Sequence, residues 1–154
     1  MSKKYIAEIN IARMKAPLDS PLLKEFVDFL DPINKMADES PGFIWRLKDE
    51  DGSAAANIES PLEDDMMLIN MSVWEDLETL KNFTYGTAHS YFVRAGRKWF
   101  ERMKSPHMAL WWIDSDHIPT MHEAMSKLEG IDKNGLTAGA FTFKKIFNPE
   151  GEEI

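Results

Sequence analysis

Residues 108–113 read Met-Ala-Leu-Trp-Trp-Ile, six apolar side chains in a row between His107 and Asp114. The run is too short for a core helix and has the length of a strand. Met108, Leu110 and Trp112 then point one way, and Ala109, Trp111 and Ile113 the other. A strand apolar on both faces has to be covered on both. That excludes a sheet with one side open to water and asks for a covering layer above and below. The chain's 154 residues suffice for one domain of that thickness.

Three further segments carry strand patterns. Over Tyr5–Met14, Ala7, Ile9 and Ile11 alternate with Glu8 and Asn10. Over Phe43–Lys48, Phe43, Trp45 and Leu47 oppose Ile44, Arg46 and Lys48. Over Met66–Glu75, the odd positions are apolar, whereas the even ones mix Met66, Leu68 and Trp74 with Asn70 and Ser72. Helical spacing links Leu22, Phe26, Phe29, Leu30, Ile33 and Ala37 after a Ser20-Pro21 start, with Pro32 expected to kink or break the helix near Asp31. A short helix is expected over Asp76–Phe83 and a longer one over Thr87–Lys104, its stripe holding His89, Phe92, Trp99 and Met103. Thr120-Met-His-Glu123 has capping-box spacing and opens a helix expected to end at Gly130. Ala140–Phe147 reads as a last edge strand. Lys48–Asp65 reads as a long loop, and residues 149–154 as an acidic tail that frays.

The order β-α-β-β-α-α-β-α predicts an α+β fold. Its core is ferredoxin-like, βαββαβ with an antiparallel sheet, in a single domain over residues 1–148. If the helices lie on one face, few remain for the other. The economical cover is a second copy, sheet against sheet, and so a two-fold homodimer is expected.

Charge and composition remove several function classes. Eighteen basic against 26 acidic residues give −8, which disfavours nucleic acid or an anionic membrane as partner. Cysteine is absent, so disulfides, thiolate zinc sites and thiol nucleophiles are excluded. No apolar run approaches the ~20 residues of a membrane-spanning helix, and a soluble, cytoplasmic protein is expected. There is no Gly-rich phosphate loop, nucleophile elbow or HExxH.

Several segments together carry a resemblance: Ala7-Glu8-Ile9-Asn10-Ile11-Ala12-Arg13, Asp31-Pro32-Ile33-Asn34, Ser40-Pro41-Gly42-Phe43-Ile44-Trp45-Arg46-Leu47, Asn70-Met71-Ser72-Val73-Trp74-Glu75, the Ala88-His89 helix with Trp99-Phe100, and Pro106–Trp112 followed by His117-Ile118-Pro119-Thr120. Combined, they resemble a bacterial family catalogued as domain of unknown function 3291, similar in turn to the dimeric α/β-barrel superfamily. That superfamily includes cofactor-independent antibiotic-biosynthesis monooxygenases and several haem-binding enzymes. The resemblance implies the fold and dimerisation; it supplies no settled reaction.

The candidate site follows from the mixed strand faces. Glu8, Asn10, Asn70, Ser72 and Trp74 share them, with Trp112 and Arg46 on neighbouring strands. On the side away from the helices, against a partner, they would line an apolar chamber with a few polar groups, the usual form of a small-molecule site. The bland alternative is an interface with some hydrogen bonds. His89 or Glu8 would remove a proton from an aromatic or apolar metabolite, and Asn70 and Trp74 would hold the anion. Asn10, Ser72, Trp112 and Arg46 would bind the substrate, and no cofactor would be needed. Two alternatives remain: haem with His89 as axial ligand, or a dimer that only binds a small ligand. His89 also reads as an ordinary core histidine. No metal site is expected, because His107 and His117 bracket a strand and stand roughly 30 Å apart if extended. Asp114 and Asp116 read as turn residues, His122 as solvated, and Arg94, Arg97, Lys98 and Arg102 as a solvated basic face. The aromatic and Met-rich interior, with 5 Trp, 9 Phe and 10 Met, reads first as core packing.

Overall fold

A computed structural model describes residues 3–17, 19–47, 67–86, 96–102 and 106–154. The central strand is β1 (Lys4–Met14), the alternating segment nearest the N-terminus. It pairs antiparallel with β3 (Met67–Trp74) on one side and with β5 (Met108–Asp114) on the other. The short β2 (Phe43–Arg46) lies antiparallel on the outer edge of β3. A two-residue β4 (Phe100–Glu101) pairs with Arg13 and Met14 at the far end of β1. The strand order β2-β3-β1-β5 is that of a ferredoxin-like antiparallel sheet, and the fold class is α+β.

Three described helices flank the sheet. α1 (Lys24–Asp38) follows a 3-10 turn at Pro21–Leu23, whose start is capped by the Ser20 hydroxyl accepting from Leu22 N. α2 (Leu77–Thr84) opens with a reciprocal capping box between Asp76 and Thr79. α3 (Met121–Asn134) is capped by Thr120.

Both faces of β5 are covered, as its sequence demands, and the same chain does the covering. On the odd face Ile9, Met71, Ala109 and Trp111 are buried with Ala124 and Leu128 of α3. On the even face Ile6, Trp74 and Leu110 are buried with Ala37 of α1, Leu80 of α2 and Phe141. Beside them Met14 packs with Leu23, Phe26 and Trp99. The premise that a bare sheet face needs a second copy therefore fails: Ile9 and Met71 are fully buried within one chain. The mixed face is also not the one away from the helices, because α1 and α2 pack on it.

Several local expectations are corrected. α1 runs through Pro32 without a break. Pro32 and Asp28 are both exposed, so the carbonyl that loses its N–H partner faces solvent. α3 passes Gly130 and ends at Gly135, whose φ of 75° suits a residue without a Cβ. Of the helix expected over Thr87–Lys104, residues 87–95 and 103–104 lie outside the described residues; Gly96–Lys98 is a 3-10 turn and Phe100–Glu101 is strand. The loop expected over Lys48–Asp65 also lies outside them. The expected edge strand at Ala140–Phe147 reduces to isolated antiparallel bridges, of which Leu110 with Phe141 joins the segment to the sheet. The tail does not fray. Asn148 Oδ1 accepts from Glu150 N and Glu152 N, and Ile154 N donates back to Ile146 O. No described helix is long and apolar enough to cross a membrane.

Candidate functional site

The register of β1 against β3 sets Glu8 opposite Ser72 and Asn10 opposite Asn70, all on the even face. Period two fixes this: each polar side chain stands two residues from the next on its own strand. The four groups form a polar rectangle, with Ile6, Leu110 and Trp74 beside it on the same face. Among the described residues, Glu8 is the only buried polar or charged one.

Burial dominates the chemistry of Glu8. Desolvation pushes its carboxyl up to about 8, against the opposing pull of hydrogen bonds from Asn10 and Ser72. Asn10 Nδ2 donates to Glu8 Oε1 at 2.8 Å. Glu8 Oε2 is buried with no hydrogen-bond partner among the described residues. One oxygen is thus held while the other is unsatisfied, a costly arrangement in a low-dielectric site. Trp74 Nε1 donates to Ser72 Oγ at 2.9 Å and so braces the hydroxyl opposite Glu8.

Of the sequence-derived site residues, Glu8, Asn10, Ser72 and Asn70 come together as expected. Asn70 is exposed and Asn10 half-buried, so the rectangle opens to solvent at that end. Trp74 does not line a chamber. It is 1% exposed, stacked on Phe83 at 5.1 Å and edge-on to Phe43 at 5.5 Å. Its role is to brace Ser72, because its ring is spent on the core. Trp112 lies two rows from Asn10, opposite Ile6, and donates its indole N–H to Phe147 O at 2.9 Å; it ties down the C-terminal segment. Arg46 stands opposite Ser72 on β2, in the same row as Glu8. His89 lies outside the described residues.

The remaining histidines are elsewhere. His107 is exposed, ahead of β5, and His122 is exposed on α3. Among the described residues no group of three His, Asp or Glu side chains is placed to hold a metal ion. No described histidine stands on the even face to serve as a haem ligand.

A second polar cluster escaped the sequence reading. Glu123 leaves the capping box half made: Thr120 Oγ1 accepts from its N–H, but its carboxylate turns inward. It accepts from Trp111 Nε1 at 2.8 Å and meets His117 Nε2 at 2.6 Å. Partial burial raises the Glu123 carboxyl, but the bonds from His117 and Trp111 outweigh it and hold the group below the usual range. The Thr-x-x-Glu spacing was visible; the inward turn of the carboxylate was not.

A family model described as a domain of unknown function, DUF3291, matches residues 5–154. The chain belongs to the DUF3291 family. No curated protein matches it significantly. Among solved structures it is similar to SnoaB, a cofactor-independent oxygenase from Streptomyces nogalater, at TM-score 0.49 and 12% identity over 77% of this chain and 97% of that one. A putative antibiotic biosynthesis monooxygenase from Nitrosomonas europaea is similar at TM-score 0.48 and 8% identity, over 78% and 97%. A Dabb family protein with a ferredoxin-like fold from Mesorhizobium loti is similar at TM-score 0.44 and 17% identity, over 76% and 98%. Likeness at this level says nothing of chemistry. The fold of this DUF3291 chain rests on its own strand order.

Proposed function

We propose that this DUF3291 protein is a cofactor-independent oxygenase of a small aromatic carbon acid, bound over the even face at the Glu8–Asn10–Asn70–Ser72 rectangle. The observation that carries the reading is the buried Glu8 carboxyl with one oxygen unsatisfied. A carboxyl raised to about 8 is, once ionised, a far stronger base than an ordinary carboxylate. Its free oxygen is the atom that takes the proton. Asn70, exposed at the open end, offers an amide N–H to the oxygen on which the anion's charge collects.

The chemistry balances without a further redox partner. An activated CH₂ loses a proton to Glu8, and the carbanion is oxidised by O₂ to a hydroperoxide that takes the proton back. Loss of water then leaves a carbonyl, so that one oxygen atom enters the product and the other leaves as water. Haem is not needed in this sequence.

The test is oxygen uptake with a panel of electron-rich phenolic ketones, together with hydrogen–deuterium exchange at their activated CH₂ followed by NMR. Turnover and exchange are expected to rise with pH up to about 8. Glu8→Gln is expected to lower both at least 100-fold, in keeping with the usual worth of a general base. Undiminished exchange in Glu8→Gln defeats the assignment.

A further inference from the structure

Arg46 carries a second unsatisfied atom in the row that holds Glu8. The register runs Arg46, Ser72, Glu8 across β2, β3 and β1. The Arg46 guanidinium is pinned from α1, where Asp38 takes Nε at 2.8 Å and Nη2 at 3.3 Å. That pair uses one edge of the planar fork and leaves Nη1 on the other. Nη1 is buried and has no hydrogen-bond partner among the described residues. The side chain as a whole is only 10% exposed. A buried cationic donor without an acceptor is expensive. The other such atom, Glu8 Oε2, stands on the same face two strands over, on β1 beyond Ser72 of β3.

We infer that Arg46 is the anion-recognising residue of this site, its unsatisfied Nη1 selecting ligands that carry a carboxylate. The inference rests on the even face being the ligand site, and it narrows the substrate to an aromatic carboxylic acid. The complementarity is chemical. A carboxylate has two acceptor oxygens, and Arg offers a planar, permanently charged donor that matches them. Asp38 occupies one edge of the guanidinium and fixes its plane, so the free edge is pre-aimed and loses little entropy on binding. A neutral amide of the same shape satisfies Arg46 with one weaker, uncharged acceptor.

The test uses benzoate and benzamide as probes on the full chain, read by calorimetric titration and by the shift of the thermal midpoint. Benzoate is expected to bind at least tenfold more tightly than benzamide. Arg46→Gln is expected to weaken benzoate at least tenfold and benzamide much less, with Arg46→Lys in between because a point charge cannot replace the fork. The comparison of probes on the unaltered protein stands even if an Arg46 variant folds poorly. Equal affinity for the two probes, absence of benzoate binding, or full benzoate affinity in Arg46→Gln would each overturn the inference. These outcomes are separable from the oxygenase reading. Should benzoate discriminate while Glu8→Gln leaves proton exchange intact, the anion site stands and the oxygenase falls. The reverse pair of results leaves the base and removes the anion site.

Discussion

Asn10 and Glu8, neighbours on one face of the same strand, form a hydrogen bond that holds Glu8 Oε1 while Oε2 stays unsatisfied. The pair has a thermodynamic consequence. The Glu8 carboxyl is raised by burial from 4.5 to about 8, so between those values the folded chain keeps a proton that the unfolded chain has lost. Stability is therefore greatest below pH 4.5 as far as this group is concerned. It declines as the pH rises towards about 8, by at most about 1.4 kcal/mol per pH unit, and levels off above. Urea midpoints taken from pH 5 to pH 9 should show this decline, and Glu8→Gln should flatten it. A wild-type midpoint indifferent to pH across that window would contradict a buried neutral carboxyl.

Asn10→Leu keeps roughly the volume and removes the donor. The Asn10 bond favours the charged form of Glu8, so its loss should raise the carboxyl further above about 8. Carboxyl carbon shifts of labelled Glu8, followed by NMR titration, report this directly. The pH dependence of proton exchange should move to higher pH with it. A titration that moves downwards would show that Asn10 does not support the ionised state.

Strand periodicity made the polar rectangle legible. Glu8, Asn10, Asn70 and Ser72 fall on one side of two alternating segments, and antiparallel pairing of those segments brings them together. What periodicity cannot say is which face the helices choose. Both faces of β5 are apolar, so its sequence is symmetric in this respect, and α1 and α2 settled on the face carrying Glu8. Trp74 misled for a related reason. Its position on the face was right, but the ring is taken up by Phe43 and Phe83, which come from other elements. Pro32 and Gly130 are local stop signals that tertiary packing and solvent exposure overrode within longer helices.

Removing the Glu123 carboxylate should strand the indole N–H of Trp111, a residue 2% exposed whose N–H has Glu123 as its acceptor. Glu123→Ala is expected to cost about 1–3 kcal/mol in thermal or chemical denaturation. Glu123→Gln, which keeps an acceptor oxygen, should cost less. The folded-state carboxyl is held below 4.5, so its stabilising contribution is complete above that pH and fades as the pH falls through the lowered value. Trp emission recorded during acidification should change in the wild type and not in Glu123→Gln.

Gly42 offers a check on the packing of the helical layer that covers the site. It turns the chain from α1 into β2 with φ at 82°, and its carbonyl accepts from Glu75 N at 2.7 Å. A Cβ placed there would come within 2.5 Å of the Thr79 side chain, in the first turn of α2. Gly42→Ala therefore meets two penalties, a left-handed backbone that L residues avoid and a collision. The cost is expected to be about 2–3 kcal/mol, a fall of about 4–12 °C in Tm for a domain of this size. The double variant Gly42→Ala with Thr79→Ser removes one methyl from the collision and should recover part of the loss, while the strain of the positive φ remains. Recovery to the wild-type midpoint would mean that the backbone at Gly42 tolerates a side chain, and that the contact with α2 alone restricts the position.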